Sequence, residues 1–163
     1  MNTNTDDNRF ALTRFANVAH SAGSVLPFWL KLKEAGLNLK LTDPNMNRLI
    51  FTKDEAASLI NRTIDFTREN GGGFVKSYKM KCVNMLDLAK VISDDIEIVG
   101  KRPGEKTDED LISEREIART FIYGDDIHIR MDENEDDNKL DRPYNSASAD
   151  KMTEEEMGEL VWG

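Results

Sequence analysis

The chain has one cysteine, Cys82, among 163 residues, which excludes an internal disulfide and a zinc cage built on thiolates. No run of apolar residues approaches the ~20 needed to span a bilayer. The polar start, MNTNTDDN, has neither the basic nor the apolar region of a secretory leader. Cations are also short: 22 Lys and Arg stand against 31 Asp and Glu, a net charge of −9. The surplus of positive charge that a nucleic-acid backbone demands is therefore absent. These absences point to a cytoplasmic protein whose partners are neither membranes nor nucleic acids. What remains, 39% hydrophobic residues in a chain of this length, suits one domain of ordinary size or a modest domain with a tail.

The charge is unevenly placed. Residues 1–122 hold 18 acids and 18 bases, so the whole deficit lies in residues 123–163, with 13 acids against 4 bases. A neutral body followed by an acidic tail can hold a local cationic site despite the overall sign.

Hydrophobic spacing gives the body an α/β alternation. FALTRF (10–15) alternates as a strand, and VLPFWLKLKEAG has helical spacing closed by Gly36. LNLKL (37–41) reads as a second strand, followed by the turn-rich TDPNMNR. Thr52 and Glu55 have the spacing of a capping box ahead of a helix running to about residue 69. The triple glycine 71–73 is a loop, FVKSY a strand, Asn84 a cap for the helix MLDLAKVI, and IEIVG (96–100) the last strand. TEEEMGELVW has the pattern of a short terminal helix. Met80, Met85 and Leu86 read as core, and Cys82 as a packing residue.

In alternating folds, ligands sit at loops beyond the carboxyl ends of strands. Three loops qualify, 17–24, 42–48 and 100–106, and the last two carry Arg48 and Arg102. Arginine suits phosphate because its planar fork gives two parallel hydrogen bonds. The start of a helix after Gly23-Ser24 adds backbone amides and partial positive charge. Glu105 can accept from vicinal hydroxyls such as those of a ribose. Read from the residues alone, two roles stay open: Arg48 and Arg102 make either a phosphate site or ordinary surface ion pairs beside turn glycines. No metal site is expected. His20 and His128 lack a second ligand at metal spacing, His20 reads as a loop or core residue, and Asp132–Asp137 lacks the spacing of a calcium loop.

Taken together, four segments resemble a known family. RFANVAHSAGSVLPFW is similar to "RYGNV..SRGSVIPLF", and LTDPNMNRLIFTKDEAASLI to "ITDPNMTRFLMTLEEAVDLV". IVGKRPGEKTDEDLIS is similar to "IIGIRPGEKLHEVLIS", and RPYNSASADKMTEEEMGEL to "EYNSHNTERLSVEEMKEL". These are segments of bacterial polysaccharide-biosynthesis nucleotide-sugar 4,6-dehydratases and 4-epimerases, extended short-chain dehydrogenase/reductase enzymes acting on UDP-N-acetylglucosamine. The matches follow in order from about residue 10 to 160, and correspond to the carboxyl-terminal, substrate-binding half of such an enzyme. The resemblance implies a partial extended-SDR α/β fold: a substrate-binding domain plus a remnant of the parallel sheet, without the Rossmann dinucleotide-binding half. By the same resemblance Asn17, Ser24, Arg48, Arg102 and Glu105 contact the UDP moiety, with both arginines on the diphosphate.

The family also has features this sequence lacks. There is no Gly-rich dinucleotide turn, and Tyr78, Tyr123 and Tyr144 are followed four residues later by Cys82, Ile127 and Ser148 rather than by the lysine of a Tyr-x-x-x-Lys pair. No catalytic residue is therefore assigned, and no NAD is expected on this chain alone. The cofactor would arrive only through a separate Rossmann-domain chain. Ala22 stands where the family has an arginine, and Ala16 where it has a glycine. The resulting expectation is a disordered stretch at 1–9, an α/β nucleotide-sugar-binding-like domain at 10–122, and an acidic extension at 123–163. Its sheet would need covering by that separate chain or by homo-oligomerisation, the favoured outcomes, or by rearrangement of the polar N-terminus and acidic tail. The alternative is a structural or protein-interaction module that kept the fold and lost the site.

Overall fold

A computed structural model describes residues 10–131 and 138–163; the stretch 1–9 and the acidic run 132–137 considered above lie outside the described residues. The strands are β1 (Ala11–Thr13), β2 (Asn17–Val18), β3 (Leu39–Leu41), β4 (Asn47–Phe51), β5 (Phe74–Tyr78), β6 (Cys82–Asn84), β7 (Ile96–Ile98), β8 (Asp110–Ile112), β9 (Thr120–Tyr123), β10 (Asp126–Arg130) and β11 (Tyr144–Asn145). The helices are α1 (Val25–Glu34), α2 (Lys53–Asn70), α3 (Met85–Ile92) and α4 (Glu154–Trp162), with a 3-10 helix at Glu114–Arg119. Parallel and antiparallel pairings occur together, so the fold is mixed α/β. The chain forms two compact units from interleaved segments: 1–15, 54–79 and 111–144 in the first, and 16–53, 80–110 and 145–163 in the second. The boundary expected at residue 122 falls inside β9, because a change in charge density does not mark a change in packing.

The first unit is built on a sheet of order β1-β5-β10-β9. β1 and β5 run parallel, with Leu12 opposite Val75, while β10 runs antiparallel to both of its neighbours. α2 ends at the triple glycine, where Gly71 and Gly73 both take positive φ and the amide of Gly73 donates to the carbonyl of Phe10. Glycine is the residue suited to that reversal. Of the apolar stripe read on α2, Leu59 is buried but Ile60 and Ile64 are each over 40% exposed. Lys76, almost wholly buried, pairs with Asp126 at 2.8 Å. The guanidinium of Arg14 meets both carboxylate oxygens of Glu116, at 2.8 and 3.1 Å. That bond to Arg14 is the largest cause holding the Glu116 carboxyl at about 2.

The second unit holds two small sheets, β2-β4-β6 and β3-β7. Its core gathers Leu26 and Trp29 of α1, Met85 and Leu88 of α3, and Met157 and Leu160 of α4. Trp29 keeps its polar edge satisfied by donating Nε1–H to the carbonyl of Lys40 at 2.9 Å. Asn84 caps α3 as its sequence position suggests, accepting from the amides of Leu86 and Asp87. Thr153 and Glu156 close a capping box on α4. Cys82 is fully buried, and burial pushes its thiol above the ordinary range, in keeping with a packing role. Arg48, read from the sequence as part of the 42–48 loop, lies instead in β4. Four of the five residues of β4 are buried, so it shows no alternation that would mark it as a strand.

The imidazole of His128 generates a pH prediction for the first unit. It is buried, stacked 5.6 Å from the ring of Phe74 and edge-on to Phe66 at 4.7 Å. Burial, reinforced by the charge of Lys76 and Arg130 against that of Asp126, lowers it from 6.5 to about 4. A histidine kept neutral in the fold takes up its proton first in the unfolded chain. Stability is thus complete above pH 6.5 and falls as pH drops from 6.5 to 4, by about 2–3 kcal/mol. His128→Phe, which keeps the stacking, should flatten this part of the profile of urea midpoint against pH. An unchanged slope would assign the loss to other groups.

Candidate functional site

One cavity of about 840 Å³ lies wholly within the second unit, and Asn17, Ser24, Arg48, Arg102 and Glu105 all line it. Three pieces of chain bring them together: β2, which takes Asn17 out of the loop expected at 17–24, with the loop after it and the start of α1; strand β4; and the loop after β7. Each follows from local sequence. Asn17 is tied to the middle strand by its Nδ2–H, which donates to the carbonyl of Leu49 at 3.0 Å and reaches Glu109 at 3.3 Å. Ser24 occupies the position before the first turn of α1 but makes no side-chain cap. Its hydroxyl oxygen is shut off from solvent without a hydrogen-bond partner. The first turn of α1 contains no acid that would oppose an anion.

The opposite wall is the Arg102-Pro103-Gly104-Glu105 turn. The amide of Glu105 donates to the carbonyl of Arg102 at 3.1 Å, and Gly104 has φ +83°. Proline followed by a residue at positive φ makes this a type II turn, which is why glycine stands there. The Glu105 carboxylate braces the turn, accepting from the amide of Arg102 at 3.1 Å and from the Thr42 hydroxyl at 3.5 Å. Neighbouring Lys101 is held by Asp43 at 2.7 Å and by the Thr107 hydroxyl. Its ammonium keeps the Asp43 carboxyl below the usual range. The Arg102 side chain projects exposed at the cavity rim, with no ion pair or side-chain hydrogen bond recorded to any described residue.

Arg48 behaves differently from Arg102. Its side chain is 10% exposed and donates Nη1–H to the carbonyls of Asn47 and Thr107, at 2.7 and 3.1 Å. Nη2 donates to the carbonyl of Lys106 at 3.0 Å, and Nε lies 3.3 Å from Glu109. This guanidinium ties β4 to the segment after the Pro-Gly turn. The two arginines that look alike in the sequence thus divide into a buried tie and an exposed cation.

The cavity also has apolar walls that sequence reasoning did not single out, among them Phe28, Trp29, Met85 and Val99. Phe28 and Val99 are each 49% exposed. The available signal was the first turn of α1: a helix opening VLPF places a large apolar residue beside the same loop that carries Ser24. Lys31, one turn further, and Lys40 add their ammonium groups to the two arginines of the lining.

Comparison with known proteins adds a second line of information. A family model described as polysaccharide biosynthesis protein matches residues 1–130. The chain is 32% identical to a UDP-glucose 4-epimerase of Rickettsia canadensis over 74% of this chain and 36% of that protein. It is 31% identical to an uncharacterized membrane protein of Methanocaldococcus jannaschii over 93% of this chain and 49% of that protein. Among solved structures, Pen from Bacillus thuringiensis superposes with a TM-score of 0.79 at 27% identity, covering 93% of this chain and 49% of that one. The chain therefore spans about half the length, or less, of these relatives. No described helix is long and apolar enough to cross a membrane.

The geometry separates the arginines by stability. Arg48→Met keeps the aliphatic packing but removes the guanidinium donors to three carbonyls, of which that of Thr107 still accepts from the amide of Asn47 at 2.9 Å, and should cost about 2–4 kcal/mol. Arg102→Ala, at an exposed position, should change stability by less than about 0.5 kcal/mol. Urea unfolding monitored through Trp29 checks both. Equal effects of the two substitutions would contradict the division.

Proposed function

Because the chain belongs to the polysaccharide biosynthesis protein family, we propose that it is the nucleotide-sugar-binding half of a dehydratase or epimerase of that class. The observation that supports this most directly is one cavity within the second unit, which gathers Asn17, Ser24, Arg48, Arg102 and Glu105. In this reading the ligand is a UDP-N-acetylhexosamine. Its diphosphate lies between Arg102 and the start of α1, where amides, helix dipole and the unpartnered Ser24 hydroxyl favour an anion. Glu105 and Asn17 face the ribose, the apolar walls take the flat base and sugar, and Arg48 holds the far wall in place. The lack of a Gly-rich dinucleotide turn and of a Tyr-x-x-x-Lys pair among these 163 residues motivates a second part of the proposal. A separate chain supplies the NAD site and the proton-transfer residues, and this chain alone, acting in the cytoplasm, performs no turnover.

The first unit offers a place for such a chain. β1 is at the edge of its sheet, with Phe10 83% and Leu12 62% exposed, and Ile60 and Ile64 of α2 are also exposed. An open edge with apolar side chains calls for a cover, from the complementing chain or a second copy. One observation favours a different reading, a module that keeps the fold without the ligand: the donors of Arg48 are taken, and Ala22 leaves the loop without a further cation.

Calorimetric titration with UDP and UDP-N-acetylglucosamine separates the two. Wild type should bind. Arg102→Ala should lose about 1.5–3 kcal/mol of affinity, the scale of a charge-assisted hydrogen bond, and Arg102→Lys should recover only part because lysine lacks the fork. Equal binding by wild type and Arg102→Ala would remove Arg102 from the site, and no binding at all would favour the second reading. Light scattering on the same samples should show self-association. A monodisperse monomer that also fails to capture a dinucleotide-binding partner would contradict the need for a cover.

A further inference from the structure

The loop between β2 and α1 contains His20, whose φ of 54° is the one positive value at a non-glycine position among the described residues. A side chain with a Cβ is uncommon in that region and stays there only where its surroundings over-determine it. Backbone bonds flank the residue on both sides. The amide of Ala19 donates to the carbonyl of Phe51 at 2.8 Å, that of Ser21 to Val18 at 3.3 Å, and that of Ser24 to Ser21 at 3.0 Å. One contact comes from far along the chain: Nε2 of His20 lies 2.9 Å from the carbonyl oxygen of Leu160. A carbonyl only accepts, so Nε2 carries the hydrogen. Leu160 sits in the last turn of α4, where carbonyls look outside the helix for donors and the negative end of the dipole favours them.

α4 itself is firmly seated. Met157, Leu160 and Val161 are buried in one cluster with Leu26 and Trp29 of α1. Lys81 pairs with Glu156 near its start. Its approach segment is stitched to β6, since the amide of Met152 donates to the carbonyl of Cys82 at 2.8 Å. The helix is thus a fixed body behind a loop whose front lines the cavity. We propose that His20 is a positioning residue: through the Leu160 carbonyl, α4 holds the turn 18–24 in the conformation that presents Ser24 and the start of α1 to the cavity. The geometric part stands on its own contacts; its consequence for a nucleoside diphosphate rests on the function proposed above. It gives the carboxyl-terminal helix a part in the site that none of the five lining residues suggests.

Two substitutions in the full chain isolate the tie. His20→Asn tolerates positive φ well but is too short to reach Leu160. His20→Gln is less suited to that φ but carries an amide donor about as far as Nε2. Hydrogen exchange of the amides of residues 19–24 is measured alongside calorimetric binding of UDP. In His20→Asn those amides should exchange about tenfold faster and UDP should bind about tenfold more weakly, the effect of losing one hydrogen bond. His20→Gln should stay within about threefold of wild type in both. Asn with wild-type exchange overturns the proposal whatever UDP does. So does Asn faster by the same factor throughout α3 and β4, because that reports global rather than local loosening. If wild type fails to bind UDP while Asn alone loses protection in the loop, the tie stands and the nucleotide reading falls.

Discussion

A guanidinium buried beneath a loop must find acceptors for its donors, and Arg48 finds them in the loop itself. Its bonds to the carbonyls of Lys106 and Thr107 and its approach to Glu109 exchange an otherwise costly buried charge for a fixed geometry between β4 and the segment after the Pro-Gly turn. Removing it would take the guanidinium donors from these carbonyls and leave the bond from the Asn47 amide to the Thr107 carbonyl to hold the segment to β4. Keeping it means that this arginine is spent on architecture. The exposed Arg102 can hold its place at the rim because the segment beneath it is nailed to a strand.

The remainder of the second unit is arranged around the same cavity by comparable means. β2 is tied to β4 through Asn17, and the loop after it is backed by α4 through His20. The turn at 102–105 is braced by its own glutamate. Most of the polar side chains lining the cavity therefore hold the walls, and those without a partner among the described residues are the Arg102 guanidinium, the Lys31 ammonium and the solvent-shielded Ser24 hydroxyl, beside the first amides of a helix. That combination fits an anion with an attached apolar or planar body.

Much of this was legible in the sequence, and the misses have physical causes. The strands FVKSY and LNLKL and the helix capped by Asn84 were readable because alternation, helical spacing and a cap residue each act locally. β4 was not, because it is buried at nearly every position and runs straight into α2, so no period distinguishes it from a helix entrance. β9 and β10 lie in a stretch of mixed charge where Asp126 pairs with Lys76 of β5 and His128 is buried, and a buried ion pair reads as surface until its partner is known. The five candidate residues could be named from motif resemblance, and they do share a cavity. Their division of labour could not, since nothing local distinguishes Arg48 from Arg102. The difference lies in carbonyls nearly sixty residues away in the chain. His20 was readable only as a loop or core histidine, because neither its φ nor its distant acceptor leaves a mark in the neighbouring residues.

The most direct test of this account is a crystal structure of the chain with UDP bound. The account requires phosphate oxygens within about 3 Å of the Arg102 guanidinium and of the Ser24 hydroxyl, while the Arg48 guanidinium keeps its carbonyl partners at residues 106 and 107. A complex in which Arg48 leaves those carbonyls to grip the diphosphate, with Arg102 still in solvent, would contradict it.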